Sequence, residues 1–195
     1  ANMYITLNYL KERMKKGGSI VYCTSTAGLE WKKFKKEQNK VVHAKTWEEV
    51  EERTRKLDSS APATFAYMYS KRCLSQFACE QAVEFAKLGI RINNVLPAST
   101  DTGMKQEFQD MIGSEEALIA QTGLAGRLAK SEEMAYPMVF LNSDMASFIS
   151  GLDMVVDYTD TCLKVLKLKK NLEAVSATNQ IICALAKKMM SKAGT

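Results

Sequence analysis

The stretch GSIVYCTSTAG, residues 18–28, decides the fold class of this chain. Ser19 to Thr24 form a short, mostly apolar run between a glycine stop and a turn of small residues, which predicts a buried parallel strand. A second strand is predicted over Ile90 to Leu96, where Pro97 ends it, and a third over Asp153 to Asp157. These three strands are the framework to which the remaining motifs are attached.

Helical patterns alternate with the strands. An apolar stripe from Met3 to Met14 precedes the first strand, helical spacing predicts a long helix from about Ala66 to Lys87, and a further helix starts near Ser131. This alternation is typical of right-handed crossovers on a parallel sheet, and so of an α/β fold. Because the first stripe begins at Met3 without room for a capping residue, we expect the chain to be part of a longer polypeptide.

The composition changes between the first strand and the long helix. Residues 31–57 combine a basic run, Lys32 to Lys36, with an acidic helical run, Trp47 to Glu52, for which Thr46 is a plausible N-cap. We expect this segment to form a charged helical insertion on the surface, and call it the 31–57 insertion.

The tail, residues 158–195, is rich in lysine. An amphipathic helix is predicted over about Leu172 to Lys192, packed on the domain or on a second subunit. Contact with a membrane surface or a nucleic acid is the alternative interpretation of its charge. The predicted organisation is a domain over residues 1–157 followed by this tail.

Composition excludes several classes of protein. With 195 residues, 46% hydrophobic residues, 25% charged residues and a net charge of +5, the chain can bury a core without disulfides or structural metals. The longest charge-free stretch, Ala174 to Ala186, is shorter than the ~20 apolar residues of a membrane span, so no span is expected. Five cysteines without paired spacing indicate buried free thiols in a reducing, cytoplasmic compartment. With a single histidine, His43, no metal site is expected.

Three separate segments carry candidate chemical groups. Tyr67 and Lys71 are four residues apart on the predicted long helix and share a face. An ammonium group near a phenol lowers the phenol's pKa from ~10, which suits the pair to acid–base work. Ser25 follows the first strand, and a hydroxyl-rich loop, residues 97–102, follows the second. Since open α/β sheets bind ligands at the carboxyl ends of their strands, these segments are expected to converge.

The motifs resemble those of the short-chain dehydrogenase/reductase family over roughly Ile20 to Asp157. The matching pieces are GSIV running into STAG (residues 18–28), YMYSK (67–71), GIRINNVLP (89–97), GR (126–127), and FISG before VVD (148–157). The resemblance implies the C-terminal part of a Rossmann-like, doubly wound parallel sheet.

Family membership would imply hydride transfer between NAD or NADP and a small alcohol or carbonyl compound. By that resemblance Tyr67 is the general acid–base, Ser25 hydrogen-bonds the substrate oxygen, and Lys71 binds the nicotinamide ribose while lowering the pKa of Tyr67. The resemblance also implies a homodimer or homotetramer. The residues that it assigns to cofactor binding are Tyr67, Lys71, Pro97, Thr100 and Thr102.

The separation of 42 residues between Ser25 and Tyr67 exceeds the dozen or so that is common in the family. The surplus is the 31–57 insertion, which resembles that of the bacterial 3α-hydroxysteroid dehydrogenase/carbonyl reductase branch. That likeness implies a steroid or another bulky hydrophobic carbonyl substrate. A solvated extension without bearing on the substrate is the alternative.

Several family features are missing from these 195 residues: the Gly-rich phosphate turn, the ribose-selecting residue and the Asn-Asn-Ala-Gly strand. The N-terminal nucleotide-binding half of the family is therefore absent from this chain, which lacks most of the dinucleotide site. Ala98 stands where the family usually has Gly, and Tyr158-Thr159 stands for its Gly-Gly pair. A noncatalytic relative that binds a partner or completes another chain is the alternative function. A nucleic-acid binder has only the basic tail in its favour.

Overall fold

The computed structural model describes residues 1–58 and 63–169. Its described part contains one parallel sheet with the strand order β1-β2-β3, which confirms the predicted α/β class. The strands are β1 (Ser19–Cys23), β2 (Arg91–Pro97) and β3 (Asp153–Val156). Each lies within a residue or two of the strand predicted from the sequence.

The strand register aligns the carboxyl ends of all three strands. Cys23 pairs with Val95 at the end of β1, and Pro97 pairs with Val156 at the end of β2. The turn after β1 and the loop after β2 therefore leave the sheet from the same edge, as the sequence predicted.

Helices precede, separate and follow the strands along the chain. The first, α1 (Asn2–Ile5), continues as π-helical turns over Thr6–Leu10, and α4 (Ala63–Ala86) is the long helix. The others are α2 (Lys35–Val42), α3 (Trp47–Asp58), α5 (Lys105–Ile112), α6 (Glu115–Ile119), α7 (Ser131–Asn142) and α8 (Asp160–Val165).

Helices α4 and α7 cover opposite faces of the sheet. Side chains alternate between the faces of a strand, so Ile20 and Ile92, which pack with the core of α4, lie opposite Val21 and Val95, which pack with Leu141 of α7. The connection from β1 through α4 to β2 and the connection from β2 through α7 to β3 run in the same direction across the sheet. Because their helices lie on opposite faces, the two connections have opposite hands. The expectation of right-handed crossovers is therefore wrong for one of them. Both faces are apolar, and burying both requires a helix on each.

The 31–57 insertion is helical, as predicted, and Thr46 caps α3 through a hydrogen bond from the Glu49 amide to its hydroxyl at 3.2 Å. Its inner side, however, is buried, contrary to the expectation that the segment lies on the surface. Trp31, Gln38 and Val41 are each at least nine-tenths buried, because the apolar side of α2 packs against α4. The lysines occupy the outer side of the same short helices.

The cysteines differ in part from their prediction. All four in the described residues are free thiols, and Cys73 is buried, but Cys23 and Cys162 are exposed. Cys23 ends β1, and Cys162 lies in the short helix α8. Cys183 lies outside the described residues.

The backbone divides into two compact units, Ala1–Tyr158 and Thr159–Thr195. Within the second, the buried Asp160 carboxylate pairs with Lys164 at 2.6 Å and also with Lys169. The tail helix predicted over 172–192 lies outside the described residues, and the domain boundary at 157 stays a prediction. Across the described ranges, no helix has the length and apolar character needed to cross a membrane.

Backbone angles distinguish the two places where the sequence lacks an expected glycine. Tyr158 (φ 45°) and Thr159 (φ 78°) occupy the left-handed region, which disfavours residues with a Cβ, whereas Ala98 is not among the described residues with positive φ. The missing glycines therefore cause strain after β3 and none after β2.

We predict that Thr159→Gly stabilises the protein by about 1 kcal/mol, because glycine removes the steric cost of positive φ and the Thr159 side chain makes no capping hydrogen bond. Ala98→Gly is the matched control and should destabilise by about 1 kcal/mol, since it adds freedom to the unfolded chain and removes a buried methyl group. Urea unfolding of both variants checks this. Equal destabilisation by the two substitutions would contradict it.

Candidate active site

The turn that follows β1 holds Ser25 at the carboxyl edge of the sheet. We call residues 24–28 the Ser25 turn. Thr24 N–H donates to the Val95 carbonyl at 2.9 Å, and Gly28 N–H donates to the Ser25 carbonyl at 2.8 Å. The Ser25 hydroxyl oxygen accepts from the Ala27 amide at 3.2 Å. These bonds fix the turn backbone and leave the hydroxyl hydrogen of Ser25 free to point elsewhere.

Helix α4 brings Tyr67 and Lys71 to the same place. The Ser25 hydroxyl lies close enough to the Tyr67 phenol to lower the phenol's pKa, and the Lys71 ammonium lies 5.5 Å from the centroid of the Tyr67 ring. Lys71 also donates to the Cys23 carbonyl at 3.4 Å. The structure thus brings together the three side chains that the sequence singled out from two distant segments.

Burial dominates the ionisation of this site. It raises the pKa of the Tyr67 phenol above the ordinary 10.0, while the Ser25 hydrogen bond lowers that pKa and the nearby Cys23 raises it. Burial also lowers the pKa of Lys71, against an opposing effect of Cys23. Burial, Ser25 and Cys23 account for the shift of the Tyr67 pKa, and the lowering expected from Lys71 is not among its causes. The phenol therefore carries its proton at neutral pH.

Phe108, from α5, forms an apolar wall beside the phenol. Its ring meets that of Tyr67 edge to face, with centroids 5.2 Å apart and an interplanar angle of 84°. Sequence reasoning missed this residue, because an aromatic on a short helix far along the chain carries no spacing signal. The carboxyl-edge site is thus apolar on one side and hydrogen-bonding on the other.

Gly28 sets the distance between the Ser25 turn and α4. A Cβ at this position would lie 2.6 Å from the Ser75 hydroxyl oxygen and 3.0 Å from the Lys71 carbonyl oxygen. Only a residue without a side chain allows this approach. The turn carrying Ser25 and the helix carrying Tyr67 are therefore in direct backbone contact.

The loop after β2 carries the other predicted residues. Pro97 is in register with Val156 on β3. The Thr100 hydroxyl donates to the Ala98 carbonyl at 2.9 Å. The Thr102 hydroxyl oxygen accepts from the Met104 amide at 3.3 Å, which leaves its hydrogen available to a ligand. These side chains bond within their own loop, at the same sheet edge as the Ser25 turn.

Tyr69 is turned away from this site, as its two-residue offset from Tyr67 predicts. Its ring stacks on Phe65 with a centroid distance of 6.1 Å, and its hydroxyl donates to the Glu37 carbonyl at 3.3 Å. Packing against the 31–57 insertion accounts for it. In the residues that the structure covers, no group of three or more His, Cys, Asp or Glu side chains is placed to hold a metal ion.

A family model and curated relatives each match half or more of this chain. Residues 54–158, just over half of the chain, match a family model described as enoyl-(acyl carrier protein) reductase. Cyclopentanol dehydrogenase of Comamonas sp. (strain NCIMB 9872) is 40% identical over 97 residues, which are 50% of this chain and 38% of that protein. Coniferyl-alcohol dehydrogenase of Pseudomonas sp. (strain HR199 / DSM 7063) is 31% identical over 165 residues, covering 79% of this chain and 61% of that one. The chain thus spans less than two thirds of either relative.

Solved structures match the fold. The 3-alpha-hydroxysteroid dehydrogenase from Pseudomonas sp. B-0831, complexed with NADH, superposes with a TM-score of 0.63 at 21% identity, over 80% of this chain and 59% of that one. A short chain dehydrogenase family protein from Francisella tularensis superposes with a TM-score of 0.55 at 23% identity, over 80% and 56%. The sheet and its flanking helices are therefore a known arrangement.

We predict that Gly28→Ala destabilises the protein by about 1–3 kcal/mol, because the new methyl group overlaps the Lys71 carbonyl and the turn must shift. Gly103→Ala is the matched control, since nothing lies within 4 Å of a Cβ there, and it should change stability little. Urea unfolding of the two variants measures the difference. An unchanged midpoint for Gly28→Ala would show that the close approach is not required.

We also predict that Ser25→Ala raises the pKa of Tyr67 further, because the substitution removes the hydrogen bond that lowers it. Ser70→Ala is the control, since the Ser70 hydroxyl donates to the Tyr67 carbonyl at 2.7 Å and not to the phenol. Phenolate absorbance measured against pH, with Tyr67→Phe as the reference, isolates this one tyrosine. A pKa that falls in Ser25→Ala would rule out the bond.

Proposed function

The chain belongs to the short-chain dehydrogenase/reductase family, and we propose that it acts in an oxidoreductase that interconverts an alcohol and a ketone with NAD or NADP. One observation carries the proposal: the Tyr67 phenol meets the Ser25 hydroxyl, with the Lys71 ammonium beside its ring, at the carboxyl edge of a parallel sheet. Relatives named as cyclopentanol and coniferyl-alcohol dehydrogenases support an alcohol as substrate.

The proposed chemistry is proton transfer at the substrate oxygen. In reduction the protonated Tyr67 phenol donates its proton to the carbonyl oxygen, and in oxidation the phenolate removes the hydroxyl proton. Ser25 hydrogen-bonds the same oxygen and positions it. Lys71 stabilises the phenolate as it forms, since an opposite charge nearby favours the charged form. The nicotinamide, when bound, supplies or accepts the hydride.

The described residues fit the nicotinamide end of the cofactor. Lys71 offers a partly buried ammonium at the sheet edge, Thr102 offers a free hydroxyl hydrogen, and Tyr67 lies beside Lys71. We propose that these side chains, with Pro97 and Thr100, hold the nicotinamide and its ribose. Pyrophosphate binding calls for backbone N–H groups at the start of a helix, and we assign it to no residue in the described ranges.

The proposed substrate is hydrophobic. Phe108 walls one side of the Tyr67 ring, and an apolar wall contributes binding by removing apolar surface from water. The relatives named above take their names from a cyclic and an aromatic alcohol. A hydroxysteroid or another bulky hydrophobic carbonyl compound belongs to this proposed class.

We also propose a cytoplasmic location and a homodimer or homotetramer. The free thiols of the described cysteines support a reducing compartment. The residues 1–157 and the following lysine-rich tail stay proposed as the two parts of the chain.

The decisive variant is Tyr67→Phe in the full-length gene product. It should lower kcat by about 10²- to 10⁴-fold, the usual contribution of a general acid–base, and leave cofactor affinity within about twofold because only the transferable proton is lost. Steady-state assays with cyclopentanol, cyclohexanol and a ketosteroid, each with both nicotinamide cofactors, measure the rate, and fluorescence titration measures the affinity.

Tyr69→Phe is the matched control, since the Tyr69 hydroxyl donates to the Glu37 carbonyl away from the site, and its kcat should be near that of the natural protein. Full turnover in Tyr67→Phe would refute the role of the phenol. A protein that binds neither cofactor and turns over no alcohol would instead favour the noncatalytic, chain-completing alternative.

A further inference from the structure

A partly buried hydrogen bond joins the start of the 31–57 insertion to β3. Trp31 lies six residues after Ser25 and begins the 3₁₀ turn Trp31–Phe34. Its side chain is only 5% exposed, and its indole Nε1–H donates to Oδ2 of Asp153 at 3.0 Å. A buried indole N–H needs such an acceptor, because leaving it without one carries the full cost of desolvation.

The second oxygen of Asp153 is bonded as well. Asn94, its register partner on β2, donates from Nδ2 to Asp153 Oδ1 at 2.6 Å. Asn94 is 2% exposed, and its own Oδ1 has no hydrogen-bond partner among the residues that the structure covers. One carboxylate therefore joins three elements: the insertion, β2 and β3.

These bonds complete the support of the Ser25 turn. At its start, Thr24 is bonded to Val95 through both its amide and its hydroxyl. At its end, Gly28 contacts α4. Trp31 holds the chain three residues further on, and its carbonyl accepts from Gln38 Nε2 of α2 at 3.3 Å. Without the bond to Asp153, the sheet would hold only the first end of this segment.

We propose that Asp153 is a positioning residue that acts through the Trp31 indole to hold the Ser25 turn against Tyr67, so that the 31–57 insertion forms part of the support of the active site. Its meaning for catalysis rests on the proposed function. Small displacements of a group that orients the substrate are costly to rate even when they start far from the reacting atoms. The 31–57 insertion then supports the active site in addition to packing on α4.

Two variants remove the bond and one retains it. Trp31→Phe keeps a buried aromatic ring but lacks the donor, and Asp153→Leu lacks both acceptors. Asp153→Asn keeps an acceptor for the indole, and its amide N–H₂ can donate to the oxygen of Asn94 after that side chain rotates. Trp47→Phe is the matched control, since it removes another indole N–H, bonded to Glu51 at 2.7 Å on the exposed side of the insertion.

The first readout does not depend on activity. In protein labelled with 3-fluorotyrosine, the ¹⁹F resonance of Tyr67 is assigned by its loss in Tyr67→Phe, and Ser25→Ala shows where it lies when the Ser25 bond is absent. Trp31→Phe and Asp153→Leu should move the resonance toward the Ser25→Ala position. Asp153→Asn and Trp47→Phe should leave it at the natural position.

The second readout is turnover by the full-length gene product. Trp31→Phe and Asp153→Leu should lower kcat about tenfold or more while KM stays within about twofold, because an orienting group is displaced and binding is not. The double variant should be no slower than the slower single variant, since the two residues act through one bond. Asp153→Asn should retain at least half of the natural kcat.

The outcomes separate the two claims. If both bond-removing variants keep the natural ¹⁹F resonance and only melt at a lower temperature, the bond has a structural role alone and the positioning role is refuted. If the natural protein turns over no alcohol or ketone, the proposed function is refuted. In that case the ¹⁹F resonance still decides whether Asp153 and Trp31 hold Ser25 against Tyr67.

Discussion

The backbone contact between Gly28 and α4 is the constraint on which the site depends. It brings the turn after β1 to within a methyl group's width of the helix that carries Tyr67 and Lys71. A hydroxyl on the turn can then reach a phenol on the helix, although the two are 42 residues apart. Rigid elements hold such pairs more accurately than free loops do, and here one partner is on a helix and the other is on a turn bonded to the sheet.

The site's electrostatics follow from that close packing. Desolvation raises the pKa of Tyr67 and lowers that of Lys71, so each side chain is pushed toward its neutral form. A neutral phenol suits proton donation to a carbonyl oxygen.

Sequence reasoning succeeded where the signal is local and failed where it is not. The sequence predicted the three strands, the Thr46 cap and the common helix face of Tyr67 and Lys71. Each of these depends on neighbours along the chain. The edge-to-face contact of Phe108 and the Trp31–Asp153 bond carry no such signal, since in the second case the partners are 122 residues apart. Lysines on one side of the insertion also concealed its buried side.

The amino-acid sequence by itself determined the α/β class, the order of strands and helices, and which hydroxyl, phenol and ammonium groups reach the carboxyl edge of the sheet. Periodicity, strand ends and turn residues are sufficient for these, because they are set within a few residues. Only the tertiary structure decided that the two crossovers have opposite hands, that burial raises the pKa of Tyr67, and that the insertion contacts the sheet. Each of these depends on which faces meet in space, and desolvation and packing are properties of the assembled core.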